Sequence, residues 1–178
     1  MRAGRTHPAR PACGFTPMTL IVSPVDFAQP AHCNALLMLL DAYARDPMGG
    51  GAPLSDDVKT RLCSDLAARP GVASFVAWLD GQPVGLVNCM EGYSTFKARP
   101  LMNIHDMAVL PDHRGQGIGQ ALLAAAEAHA RARGCCKLTL EVLTGNQPAL
   151  HSYVRFGFAP YELDPAAGQA SFMQKWLA

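Results

Sequence analysis

Three glycines at alternate positions mark the segment RGQGIG, which runs from Arg114 to Gly119. The segment lies between a strand-like run, NIHDMAVL, and an Ala/Leu-rich run that predicts a helix. The first amides of a helix have no intrahelical partner, and the helix dipole places partial positive charge there. Glycines remove Cβ atoms that would block close approach, and the Arg114 guanidinium can form paired hydrogen bonds with a phosphate. The segment therefore predicts a phosphate-binding loop.

The spacing of this glycine loop excludes two common kinds of nucleotide site. A loop for nucleoside triphosphates requires Lys and then Ser or Thr after its last glycine, whereas Gln120 and Ala121 follow Gly119 here. The dinucleotide fingerprint G-x-G-x-x-G also fails, because Gln120 stands where its third glycine belongs. Taken alone, the loop is also compatible with a tight turn into a helix.

A second pattern lies downstream and matches N-x-x-A-x-x-x-Y-x-x-x-G-F, with its residues at Asn146, Ala149, Tyr153, Gly157 and Phe158. The glycine loop matches R/Q-x-x-G-x-G/A at Arg114, Gly117 and Gly119. Together the two segments resemble the GNAT N-acetyltransferase superfamily, and the resemblance extends over about residues 18–178. The strand-like run before the glycine loop, NIHDMAV, looks like the corresponding strand of the diamine/polyamine-type branch of this superfamily. That branch has two adjacent acids in the strand, and His105 stands in place of the first.

The resemblance implies acetyl-CoA as the cosubstrate and assigns a role to several residues. The loop would bind the pyrophosphate through Arg114, Gly115, Gln116, Gly117, Ile118, Gly119 and Gln120. The strand backbone at Met107, Ala108 and Val109 would bind the pantetheine arm as an added strand does, and Asn146 would contact the same arm. Tyr153 would give a proton to the CoA sulfur, and an amide at or near Val109 would stabilise the oxyanion.

The group that removes the amine proton is open among three candidates. His105 titrates near neutral pH, and Asp106 suits either amine recognition or proton uptake through water. Glu141 on the next strand is the third candidate. Each also has a purely structural interpretation. Strand alternation places Ile104, Asp106 and Ala108 on one face and His105, Met107 and Val109 on the other, unless a bulge disturbs it.

The predicted function is transfer of an acetyl group to a primary amine of a small molecule, by direct attack in a ternary complex. No cysteine has an evident activating partner that would make it a covalent relay. Two alternatives stay open: an acetyltransferase acting on peptide lysines or N-termini, and a non-catalytic sensor that binds acyl-CoA. The presence of Tyr153 argues against the sensor, because a pure binder needs no proton donor.

The elements that must position these residues follow the predicted order β-α-α-β-β-β-α-β-α-β-β. This order predicts an α/β fold with a mixed, mostly antiparallel central sheet flanked by helices. The last two strands are predicted at 157–164 and 168–178. Their apolar residues would either pair across a homodimer boundary or close the sheet within one chain. The Gly-rich loop 46–53 would border the acceptor pocket or serve as a plain connection, and Tyr93 and Phe96 would wall that pocket or join the core.

The amino-acid composition and net charge indicate which kinds of binding partner are disfavoured. The 178 residues are 49% apolar and 16% charged, with a formal net charge of +1, which argues against nucleic-acid or membrane partners. Six cysteines without paired spacing predict no metal site and fit a reducing cytoplasm. Residues 1–17 are Arg- and Pro-rich and contain no acid, so they predict a disordered tail or a segment upstream of a start at Met18. Residues 18–178 are predicted to form one domain.

Overall fold

The computed structural model describes residues 18–161, 164, 166, 168 and 170–177; the predicted tail at 1–17 lies outside the described residues. A short 3₁₀ turn at Pro111–His113 joins the fourth strand to the glycine loop. The described strands and α-helices are, in chain order, β1 (Leu20–Pro24), α1 (Pro30–Arg45), α2 (Asp56–Ala67), β2 (Val72–Leu79), β3 (Gln82–Ser94), β4 (Arg99–Val109), α3 (Ile118–Ala132), β5 (Leu138–Leu140) and α4 (Gln147–Phe156).

The five strands form one sheet in the order β1-β2-β3-β4-β5. All neighbouring pairs are antiparallel except β4 and β5, which are parallel. The mixed, mostly antiparallel sheet flanked by helices is therefore confirmed. A tight turn with positive φ at Asp80 (49°) and Gly81 (78°) joins β2 and β3, as two-residue hairpins require.

Both faces of the sheet are covered by helices. On one face, α3 buries a cluster that includes Leu122, Leu123 and Ala126. On the other face, α1 and α2 bury a cluster that includes Leu36 and Leu39. Successive strand residues point to opposite faces, so each of the central strands contributes to both clusters. Among the described residues, no helix is long and apolar enough to span a bilayer.

Local sequence signals fix several helix ends. Ser55 caps α2 by accepting a hydrogen bond from the Val58 amide at 3.3 Å. Gly134 follows the last turn of α3 with a φ of 73°, as a glycine stop predicts. Asn146 caps α4 by accepting from the Ala149 amide at 3.3 Å. The second motif therefore carries its own helix-start signal.

A bulge in β4 overturns the predicted alternation of its side chains. Asn88 pairs with Asp106 and the next residue, Cys89, pairs with Ile104, so His105 has no partner on β3. Ile104 therefore belongs to the cluster beneath α3 together with Met107 and Val109, rather than sharing a face with Asp106. One extra residue in a strand reverses the facing of every residue beyond it, and composition alone cannot locate it.

The two predicted C-terminal strands are absent from the described residues, since 158–161 and 170–177 form no strand. Phe172, Met173, Trp176 and Leu177 are each between 77% and 87% exposed. An apolar alternating run forms a strand only where a neighbouring strand accepts its hydrogen bonds, and no strand within the described part of the chain pairs with these residues. Pairing of this segment across a homodimer boundary stays a prediction.

We predict that Leu122→Ala lowers the free energy of unfolding by about 2–5 kcal/mol, because it removes a fully buried side chain between α3 and the sheet. Urea unfolding of the full chain measures this loss. Val154→Ala, at a helical position that is 61% exposed, is the control and should change stability by less than about 0.5 kcal/mol. Equal effects of the two substitutions would contradict the assigned core.

Candidate functional site

A cleft of about 390 Å³ opens between the end of β4, the glycine loop and α4. It brings together residues that are far apart in sequence, including both motifs. Of the residues predicted from the sequence, it is lined by Met107, Ala108, Val109, Arg114, Gly115, Gly117, Ile118, Gly119, Gln120, Asn146 and Tyr153.

One wall of the cleft is the end of β4, which continues beyond the point where β5 stops pairing with it. The two strands pair only from Met102 and Leu138 to Ile104 and Leu140. Beyond that point β4 continues to Val109 while β5 has ended. Among the residues that the structure describes, the outer edge of β4 therefore has no partner strand where the cleft opens.

The backbone of this free edge has a defined direction. The Leu110 amide donates to the Val84 carbonyl at 2.9 Å and so points toward β3. Backbone groups alternate in direction along a strand, so those of Met107 and Val109 point away from β3 and toward the cleft. These are two of the positions that the sequence predicted for an added-strand interaction.

The glycine loop approaches the cleft with its backbone rather than with side chains. Gly115 and Gly117 have φ of 77° and 82°, values that side-chain-bearing residues rarely adopt. Gly117 is also the N-cap of α3, and the first intrahelical bond runs from the Ala121 amide to the Gly117 carbonyl at 3.1 Å. The amides between these two residues therefore have no partner within the helix and are suited to binding an anion.

The side chain of Arg114 does not extend freely from the loop. Its Nε donates to the Val109 carbonyl at 3.0 Å, and its Nη2 donates to an Asp46 carboxylate oxygen at 2.9 Å. The guanidinium holds the pKa of Asp46 below its ordinary value, with a smaller contribution from the Met48 amide. The Arg114 guanidinium, which the sequence predicted to bind a phosphate, is thus paired with Asp46 in this structure.

Two other side chains of the predicted loop also make internal contacts. Gln120 donates from Nε2 to the carbonyl and hydroxyl oxygens of Ser152 at 3.0 and 2.9 Å, which ties α3 to α4. Gln116 donates to the Asp112 carbonyl at 3.2 Å and does not line the cleft. Their side chains therefore support the loop, and their backbone amides are what they can offer a ligand.

Tyr153 lies in the cleft wall, partly buried, with its ring edge-on to Phe158 at 5.9 Å between centroids. Burial raises the pKa of the Tyr153 phenol, and the neighbouring Tyr43 raises it further. The phenol is therefore protonated at neutral pH and available as a hydrogen-bond donor.

Tyr43 is a cleft residue that the sequence analysis missed as a site residue, because it reads as part of the apolar face of α1. It lines the cleft together with Asp46 and Met48. Burial raises the pKa of Tyr43 most, and the negative charges of Asp106 and Asp46 add to this. The sequence signal that could have identified Tyr43 as a site residue is its position in the last turn of α1, just before the Gly-rich loop 46–53.

The three candidates for the base lie outside the lining of the cleft. His105 is the bulged residue, and its Nδ1 lies 3.5 Å from Asp106 Oδ1. Glu141 directly follows β5, and its carboxylate accepts from the side-chain Nδ2 of Asn103 on β4 at 3.3 Å. Of the three, Asp106 has the closest relation to the cleft, through its electrostatic effect on Tyr43.

A chain of buried hydrogen bonds holds Asp106. Ser74 Oγ donates to Asn88 Oδ1 at 2.7 Å, and Asn88 Nδ2 donates to Asp106 Oδ2 at 3.1 Å. Ser74 and Asn88 are 3% and 2% exposed. Each hydrogen bond in this chain is donated in the direction of the carboxylate, so the arrangement fixes the orientation of Asp106.

Two other predictions about the walls of the site have different outcomes. Asp46 and Met48 line the cleft, so the Gly-rich loop 46–53 does border it. Tyr93 and Phe96 are 63% and 97% exposed and belong neither to the core nor to the cleft. They lie on the β3–β4 hairpin beyond the reach of β2, which pairs only as far as Met90.

Comparison with known proteins agrees with this arrangement. The model of the Acetyltransferase (GNAT) family matches residues 36–158, which is more than half of the chain. The chain therefore belongs to the GNAT acetyltransferase family. The polyamine-type branch, named from the β4 sequence, stays a prediction.

Curated relatives give closer sequence matches over shorter segments. The chain is 46% identical over 79 residues to streptothricin acetyltransferase of Streptomyces lavendulae, covering 44% of this chain and 41% of the relative. It is 30% identical over 127 residues to mycothiol acetyltransferase of Saccharopolyspora erythraea, covering 67% of this chain and 37% of the relative. The chain thus spans about two fifths of the length of these relatives.

Solved structures share the fold. An aminoglycoside acetyltransferase from an uncultured soil metagenomic sample, in complex with sisomicin, superposes with a TM-score of 0.72 and 19% identity over 89% of this chain and 97% of that one. Aminoglycoside N-acetyltransferase AAC(6')-Iy, in complex with CoA, superposes with a TM-score of 0.71 and 19% sequence identity. The match covers 91% of this chain and 98% of that one.

We predict that Ser74→Ala lowers the free energy of unfolding by about 1–3 kcal/mol, because it leaves the buried Asn88 carbonyl oxygen without its donor. Chemical denaturation measures the loss. Ser64→Ala is the matched control, since that exposed hydroxyl donates only to the Arg61 carbonyl within α2, and it should change stability by less than about 0.5 kcal/mol. A loss no greater than the control's would show that the Asn88–Asp106 contact does not depend on Ser74.

Proposed function

We propose that this protein transfers an acetyl group from acetyl-CoA to a primary amine of a small molecule, by direct attack in a ternary complex. One observation carries the proposal. In a chain of the GNAT family, the unpaired amides of α3, the free edge of β4 and a protonated tyrosine line a single cleft.

The residues present suit the cosubstrate. The amides from Gly115 to Gln120 offer donors to the pyrophosphate, and the space beside Gly115 and Gly117 where a Cβ would stand is open. The amide and carbonyl of Met107 offer strand-like hydrogen bonds to the pantetheine arm. The Val109 amide lies further along the same edge, beyond Ala108, and the Val109 carbonyl is occupied by Arg114. Asn146 faces the same cleft. Acetyl-CoA supplies a thioester as acyl donor and a thiolate as leaving group.

Tyr153 is the proposed proton donor. Because burial raises its pKa, its Oη carries a proton at neutral pH, which the departing sulfur can take up. The Val109 amide is the proposed donor to the developing oxyanion. That N–H belongs to the peptide shared with Ala108, which pairs with Leu86 on β3, so the peptide plane has a fixed orientation.

His105 and Asp106 are the proposed route for the amine proton. Asp106 is held by Asn88 on one oxygen, and its other oxygen lies beside His105 Nδ1, where solvent reaches both residues. We propose that this pair takes up the proton through water, since neither side chain lines the cleft itself. The negative charge of Asp106 also favours an ammonium group near Tyr43.

The relatives support a small acceptor. Streptothricin acetyltransferase and mycothiol acetyltransferase are both named for small molecules. Structural neighbours include an aminoglycoside acetyltransferase and a ribosomal-protein-alanine N-acetyltransferase, but both are 19% identical to this chain and their likeness concerns the fold. A small-molecule amine is therefore the proposed acceptor class.

We predict that acetyl-CoA alone, and neither ATP nor NAD, raises the thermal unfolding midpoint. A ligand at a hundredfold excess over its dissociation constant adds about 2.7 kcal/mol to stability. For a chain of this size that corresponds to about 5–10 °C. Differential scanning fluorimetry measures the shift. No shift at saturating acetyl-CoA would contradict the proposed function at its first step.

We predict that Tyr153→Phe lowers kcat about a hundredfold or more and leaves acetyl-CoA binding intact, because the ring remains and only the proton donor is lost. Release of CoA thiol, with streptothricin, sisomicin and an N-terminal alanine peptide as trial acceptors, measures turnover. Phe158→Leu is the control for ring packing against Tyr153. Turnover confined to the peptide would reject the small-molecule acceptor, and an unchanged kcat in the variant would reject Tyr153 as the donor.

A further inference from the structure

The guanidinium of Arg114 joins three segments of the chain at the mouth of the cleft. It begins the glycine loop, donates to the last residue of β4 through the Val109 carbonyl, and donates to Asp46 at the end of α1. Two different nitrogens make these contacts, at 3.0 and 2.9 Å. The planar guanidinium holds these two donor nitrogens in a fixed relative position, which the single nitrogen of a lysine does not.

Asp46 in turn organises the loop that follows α1. Its carbonyl accepts from the amides of Gly49, Gly50 and Gly51 at 2.7, 3.2 and 3.2 Å. Its carboxylate accepts from the Met48 amide at 2.9 Å as well as from Arg114. The Arg114–Asp46 pair therefore connects the loop 46–53, which walls the cleft, to the glycine loop on the other side.

The pair also separates two cavities. A second cavity of about 220 Å³ lies toward α1 and is lined in part by Leu39 and Pro111. Both cavities share Ala108 and Val109 together with Tyr43 and the pair itself. Arg114 and Asp46 are thus part of the wall that gives the cleft its shape at this end.

The position of Arg114 matters because glycines follow it. Gly115 and Gly117 give the loop its positive-φ conformation, and glycine loses more conformational freedom on ordering than any other residue. A side chain fixed at the first residue of the loop restricts the conformations that its amides can adopt. Binding then costs less ordering entropy, which is the advantage of a preorganised site.

We propose that Arg114 and Asp46 are positioning residues, which hold the glycine loop and the loop 46–53 against the end of β4. The anion is bound by the loop amides, and the guanidinium acts through Asp46 and Val109 rather than on the phosphate. The part of this proposal that concerns ligand affinity rests on the proposed function, because it takes CoA as the ligand.

The test is calorimetric titration of CoA into wild type, Asp46→Asn, Arg114→Lys, Arg114→Gln and the Asp46→Asn/Arg114→Gln double variant. We expect each single variant to bind CoA about threefold to tenfold more weakly, and the double variant to bind no more weakly than Arg114→Gln. Lysine keeps the charge but has a single donor nitrogen in place of the two that make these contacts, so it should not restore affinity. We also expect the salt dependence of CoA binding by Arg114→Gln to stay close to that of wild type.

A direct contact between the guanidinium and phosphate gives the opposite pattern and would overturn the proposal. Arg114→Lys would then retain most of the affinity, and Asp46→Asn would leave affinity unchanged or raise it by freeing the guanidinium. Arg114→Gln would also reduce the salt dependence. Arg61→Gln is the matched control, since it removes a comparable 2.8 Å ion pair with Asp57 on α2 and should leave CoA affinity unchanged.

A second measurement needs no ligand. Hydrogen–deuterium exchange of the full chain should be faster over both 46–53 and 115–119 in Asp46→Asn and in Arg114→Gln, and unchanged in Arg61→Gln. Exchange equal to wild type in both loops would overturn the positioning role. If wild type binds no CoA, the proposed function fails, and this measurement still decides whether the pair positions the two loops.

Discussion

The candidate site depends on one structural constraint: β5 stops pairing with β4 after three residues while β4 continues. A parallel pair that ends early leaves a row of backbone donors and acceptors without a partner strand. Most proteins cover such an edge. Here the end of β4 is instead bordered by the glycine loop, α3 and α4, so the free edge becomes a wall of the cleft.

The bulge at His105 lies where the pairing between β4 and β5 ends, and it decides which side chains face which helix. Before it, Met102 and Ile104 pack beneath α3. After it, Met107 and Val109 do so, which places Asp106 on the side of α1 and within reach of Asn88. One inserted residue therefore separates the apolar support of the cleft from the polar chain that ends at the carboxylate.

Charge at the mouth of the cleft is arranged in internal pairs. Arg114 is paired with Asp46, and Asp106 is held by Asn88 with His105 beside it. The donors that the glycine loop itself offers an incoming anion are therefore its backbone amides, and the side chains of His113 and Arg155 also line the cleft. A preorganised backbone requires no rearrangement when charge develops, whereas a free side chain must first be ordered.

The sequence by itself determined the mixed antiparallel sheet, most helix and strand positions, and the two motifs that meet in the cleft. These depend on local signals: apolar periodicity, the Asp80–Gly81 turn, and the caps at Ser55 and Asn146. Asn146, Tyr153 and the glycine loop were identifiable because their spacing is a property of short segments.

Only the tertiary structure decided the facing of Asp106, the inclusion of Tyr43 in the cleft and the partner of Arg114. Each depends on contacts between segments distant along the chain, such as the 68 positions that separate Asp46 from Arg114. The last two predicted strands do not form among the described residues, and the reason is the same. An apolar alternating segment becomes a strand only when another strand lies beside it. Residue type sets what a side chain can do, and the packing of distant segments decides which of those interactions it makes.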